Sequence, residues 1–196
     1  LTAAQLEAWY SPNAAAAWNS PLSVLTSTQI AALTATQINT LSTASISGLS
    51  GTQFSVLSAA QIVAITTTNI AALSTTELVA LTTAQAVALG AAQIGALSIQ
   101  AVASLEAADL AALSTAQLGA LSARQARALN ATQTTALQTT QVAALNTAQI
   151  AALATASLNA MGAAQFQVLS TAQAAALTTQ QVASLETADF AALGTA

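Results

Sequence analysis

The side chains that usually carry chemistry are sparse in this chain, and three kinds are missing. There is no His, no Cys and no Lys. That removes the commonest general base, the thiolate nucleophile and the Schiff-base amine. Six carboxylates remain, Glu7, Glu77, Glu106, Asp109, Glu186 and Asp189, and Arg124 and Arg127 are the only basic residues. Ser and Thr are abundant, but a hydroxyl needs an adjacent base before it attacks anything. No Gly-rich phosphate loop and no metal-ligand cluster stands out. The expectation is therefore no catalytic residue, no cofactor and no metal site: the chain does not read as an enzyme.

The carboxylates still have to be placed. The passages LEAADLAAL from Leu105 and LETADFAAL from Leu185 put Glu106 with Asp109, and Glu186 with Asp189, eighty residues apart. Four such groups could suit a cation, but they lack the dense Asp and Gly spacing of a calcium loop. Negative charge also favours a helix N-terminus, and that reading is preferred. Arg124 and Arg127, three apart, read as a solvated helix face. Aromatic residues gather elsewhere: Trp9, Tyr10 and Trp18 fall within residues 9 to 21, together with Pro12 and Pro21. They form the candidate assembly or ligand surface, for a partner subunit or a sugar. The competing reading is a terminal cap, whose bulk Ala cannot supply.

What positions these residues is a repeat. Cut from Leu1, the chain gives 24 complete octads with no insertion, LNTAQIAA from Leu145 being typical. Position one is Leu in 20 of them, position five Gln in 15, and position six Ile, Leu, Val or Phe in 19. Ser, Thr or Asn stands at position two in 16. A continuous helix would rotate these positions by roughly 80° per octad and leave no apolar face. A short helix that restarts in every octad fits better. Ser or Thr at position two and Gln at position five form a capping box, and Leu with Ile form the accompanying hydrophobic staple. The Gln column could alternatively build a hydrogen-bonded ladder or bind a ligand, but capping already accounts for it.

One such octad cannot stand alone. Burial of Leu and Ile contributes about 3–6 kcal/mol, while ordering eight residues costs about 1–2 kcal/mol each. Stacking must supply the difference, as in a solenoid. The expected fold is all-α, a superhelix of helices of about six residues, one per octad. The alternative is a β-solenoid, disfavoured because Ala and Gln are poor strand formers. Residues 1–24 form irregular octads, a cap or assembly joint, and residues 25–196 the repeat array.

Charge and hydropathy narrow the partners. A net charge of −4 argues against nucleic acid. Ser, Thr and Gln interrupt every apolar run, so no membrane span is expected. No signal peptide is visible. Only 4% of residues are charged, which is low for a free monomer and points to self-association as a homo-oligomer or fibre. The chain lacks an initiator Met and stops partway through an octad, which reads as a mature chain or a piece of a longer polypeptide.

The phrases LSTAQ, LTTAQ and LETAD, over residues 25 to 196, resemble the octapeptide arrays of very large bacterial secreted or surface proteins, those labelled adhesin-like or haem-utilisation-like. The resemblance implies an extracellular or bacterial cell-surface setting and a structural or adhesive role. It implies no haem site here, since there is no His and the one Met, Met161, stands at a core position. The leading expectation is a rod, stalk or self-assembling fibre. The alternative is a solenoid binding module for a glycan, a peptide or a host surface. An ice-binding Thr array ranks third, because Thr at position three is too irregular.

Overall fold

In the computed structural model, residues 22–193 are described. They form a 3-10 turn, Leu22–Val24, and then twenty-one α-helices of four to seven residues, from α1 (Ser27–Ala31) to α21 (Thr187–Leu193). No strand occurs among the described residues, so the β-solenoid is set aside and the all-α solenoid stands. The chain divides into two compact units, residues 1–101 and 102–196. Two successive octads at that division put Ala101 and Asp109 at position five, where neither offers a side-chain amide.

Most helices begin as the capping box requires. At α1 the Thr26 backbone is extended, its hydroxyl accepts from the Gln29 N–H, and the Gln29 side chain accepts from the Thr26 N–H. Asn130 and Asn146 perform the same duty with a side-chain oxygen. Most helices end just before or one residue short of the next position-one residue, which is itself extended where it caps the helix; Leu113, for example, has φ −63° and ψ 145°. Two extended residues, Leu and the next cap, thus separate successive helices. Helices commonly end on a left-handed residue, usually Gly. No positive φ occurs among the described residues, in Gly or in any other type. The exits need no Gly, and their terminal carbonyls must find partners elsewhere.

Within each unit, a helix packs against the third one along the chain. In the first unit α2 (Ala35–Asn39) lies on α5 (Ala59–Ala64), and α5 lies on α8 (Thr83–Ala88). In the second unit α13 (Ala123–Arg127) lies on α16 (Thr147–Ala152), and α14 (Ala131–Ala136) lies on α17 (Thr155–Asn159). Positions one and six fill the interior between these turns. Leu33, Leu57, Leu97, Leu153 and Met161 are buried, and Ile38, Ile62, Ile94, Ile150 and Phe166 are sealed. Thr134 takes a position-six place and is also sealed, with its hydroxyl donating to the Ser157 carbonyl at 2.8 Å.

Small residues set the spacing between turns. A Cβ added to Gly51, in α4 (Gly51–Phe54), would lie 2.9 Å from the Ala80 Cβ, an atom that cannot swing aside. At Gly119, in α12 (Thr115–Gly119), nothing lies within 4 Å. Gly51→Ala is expected to force two turns apart and lower stability by about 1–3 kcal/mol. Gly119→Ala should raise it by about 0.5–1 kcal/mol, because Ala is the better helix former. Urea unfolding of both variants checks the pair, and equal shifts of one sign would contradict this account.

Candidate functional site

The feature that recurs most faithfully is the buried amide at position five. Gln61, in the middle of α5, shows the full arrangement. Its Oε1 accepts from the Ser58 N–H at 2.7 Å, which completes its own helix start. Its Nε2 donates to the Leu33 carbonyl at 2.7 Å and to the Ile30 carbonyl at 3.1 Å. Those acceptors lie 28 and 31 residues earlier, at the exit of a helix in the preceding turn. One side chain therefore joins the start of one helix to the unsatisfied end of another.

The same two steps recur through both units. Gln53, Gln85 and Gln93 do this in the first unit. Gln133, Gln141, Gln149, Gln165, Gln173 and Gln181 do it in the second. Shorter side chains keep part of it. Asn69 donates to the Leu41 carbonyl at 2.9 Å and Ser157 to the Leu129 carbonyl at 2.6 Å, again 28 residues back. Capping alone therefore does not account for the Gln column, contrary to the sequence reading. It uses the amide oxygen; the two N–H groups belong to a ladder between turns.

Glu77 occupies the same buried place and keeps only half of the arrangement. Its carboxylate accepts from the N–H and the hydroxyl of Ser74, so the helix start is satisfied. It has no N–H to send toward the carbonyls of Leu49 and Ile46, which stand 28 and 31 residues earlier. Glu106, Asp109 and Asp189 sit where helix capping predicts. Glu106 is the N-cap of α11 (Ala107–Ala112), with Asp109 in its first turn, and Asp189 lies in the first turn of α21. Among the described residues, no three such side chains come together to hold a metal ion.

Arg124 and Arg127 are exposed in the last turn of α13. Arg127 borders a shallow groove of about 420 Å³ with Thr155, Thr178, Thr179 and Gln180. Trp9, Tyr10 and Trp18, the proposed assembly or ligand surface, lie outside the described residues, as do Pro12 and Pro21. No helix among the described residues is long and apolar enough to cross a membrane.

A family model named for the ALTTAQ repeat matches residues 62–99, 102–139, 142–179 and 150–187, which together make up more than half of the chain. The chain belongs to the ALTTAQ repeat family. No curated protein and no solved structure matches it. Three of the ALTTAQ matches begin at residues 62, 102 and 142, a step of forty or five octads, and the fourth begins one octad after the third. The phrase itself stands at Ala80 to Gln85, and four of its six letters have a defined structural part. Ala80 is the small residue facing Gly51. Leu81 is buried. Thr82 caps α8, and Gln85 ties it to the carbonyls of Phe54 and Leu57.

Removing one rung should be costly. Gln149→Ala would strip a partner from the Asn146 N–H and from the carbonyls of Leu118 and Leu121. It would also leave a cavity, so a loss of about 2–4 kcal/mol is expected. Glu77→Gln supplies the absent donor and should gain about 1–2 kcal/mol. Denaturant midpoints, with hydrogen exchange at the neighbouring amides, measure both. A neutral Gln149→Ala would show that neither the cap contact nor the ladder contributes to stability.

Proposed function

We propose that the chain is a structural repeat module, a stiff spacer of a bacterial extracellular or surface protein that builds a rod, stalk or fibre. One observation carries the reading: the interior of each unit is given over to holding its own turns together. Position one, position six and the position-five amide are buried and mutually satisfied. What faces solvent is mainly small Ala, Ser and Thr side chains, repeated with little change. A ligand site needs convergent, irregular groups in a concavity; a spacer needs one reproducible step. On this reading the protein is not an enzyme and takes no cofactor. A glycan- or peptide-binding role would rest on Trp9, Tyr10 and Trp18. The bacterial surface setting is supported by the resemblance of the octads to arrays in such proteins.

The reading predicts an elongated particle. Small-angle scattering at low concentration should give a cross-section about the width of one turn of helices and a length several times greater. Negative-stain images should show rods. A compact, near-spherical particle would overturn it.

A further inference from the structure

One concavity gathers departures from the repeat. It is the groove of about 420 Å³ in the second unit. The stacked pairs α13 with α16, and α17 with α20 (Thr179–Ser184), supply its lining. Arg127 is the one cation at position seven in the chain. Ala154 stands at position two, where most octads place Ser, Thr or Asn, and its methyl group fills little of the space. Gln180 stands at position four, where Ala and Thr are usual. These three are far apart in sequence, and the winding of the unit brings them to one groove. The polar groups there are largely unengaged. Among the described residues, Thr155, Thr179 and Gln180 make no side-chain hydrogen bond and no acid pairs with Arg127. Thr178 and Gln181 are already occupied, as the cap and the rung of α20.

We propose that this groove binds a small hydroxylated carboxylate, of the sugar-acid class. The site goes beyond the spacer reading and does not depend on it. A guanidinium takes a carboxylate with two parallel N–H donors, which fixes the orientation of the ligand. The hydroxyls of Thr155 and Thr179 and the amide of Gln180 both donate and accept, which suits the hydroxyl groups of such a molecule. The volume falls within the range of small-molecule sites. One positive charge suits a monoanion, whereas a phosphate monoester brings nearly two negative charges and calls for more cations. The lining holds no aromatic ring, so the charge is what anchors the ligand.

Titration of glucuronate into the 196-residue chain tests this, followed by NMR at the backbone amides of Thr155 and Thr179 and at the Arg side-chain Nε–H groups. The wild type should show saturable shifts at both amides and at Arg127, while Arg124 stays still. Arg127→Gln should weaken binding about tenfold or more, and Thr179→Val should weaken it severalfold. Arg124→Gln should leave it unchanged. All three variants alter exposed positions, and circular dichroism confirms that they keep their helices. A wild type without saturable shifts, unchanged binding in Arg127→Gln, or an equal loss in Arg124→Gln would overturn the site. Glucose, which lacks the carboxylate, should produce no shift at the same concentration. Inorganic sulfate that binds as tightly as glucuronate would overturn the ligand class, because the groove would then take any small anion.

Discussion

A primary amide buried away from water has two donors and an acceptor to satisfy, and each one left unmade costs about 1–3 kcal/mol. In this chain that demand fixes the geometry between turns. Gln141 has one arrangement that serves every group: its oxygen on the Gln138 N–H, its nitrogen on the carbonyls of Leu110 and Leu113. A slip of one residue would carry the Gln out of the interior and leave the helix exit without donors. Apolar packing of Leu and Ile supplies most of the driving force, but it is indifferent to small sliding. The amide makes the step between turns specific.

The eight-residue period follows from the same economy of means. A helix of five or six residues is too short to persist in water on its own. It also leaves up to four N–H groups and four carbonyls unpaired, nearly its whole backbone. The cap at position two serves the start. At the exit, the Leu N–H bonds back to the position-six carbonyl, as Leu153 does to Ile150. The remaining lone pairs face the previous or the next turn. Because a Gln from that turn meets them, the chain can leave each helix through an extended Leu and begin another at once. A second set of bonds runs the other way on the outside. Asn39, Thr135 and Asn159, all at position seven, donate to carbonyls 25 residues later. Where position seven is Ala or Val this outer bond is missing and the inner ladder carries the turn.

The local half of this structure is legible in the sequence. Capping boxes and staples act over three or four residues, so LTSTQIAA announces a helix start at Thr26, and burial at Ile38, Leu33 or Met161 follows from position alone. The half that connects turns is not legible in the same way. Its contacts span 23 to 31 residues, and nothing in one octad states how many octads close a turn. One clue was present. The capping box uses only the amide oxygen, so a buried Gln has two N–H groups to place, and a buried donor always asks for an acceptor. Thr134 was less accessible still. A hydroxyl at a position-six place looks like a defect until the Ser157 carbonyl is seen beside it.

The substitutions at position five separate the two halves of the amide's work. Ser45, Asn69, Glu77, Asp109, Ser157 and Asp189 all replace Gln, and every one keeps a side-chain oxygen. Glu77 keeps the cap contact to Ser74 and has no N–H for the ladder. Asn69 and Ser157 do the reverse: each keeps a ladder bond, to the carbonyls of Leu41 and Leu129, and neither completes a capping box. Ala101 alone among the described residues offers neither a side-chain oxygen nor an amide, and Ile99–Ser104 is still a helix. A single octad therefore tolerates the loss of either half. The carbonyls at an exit belong to a turn held by several rungs and by apolar contact on either side, and a carbonyl with one lone pair still bonded loses less than a bare N–H. Capping acts within each octad singly, whereas the ladder acts across the array, so a gap in either is carried by its neighbours.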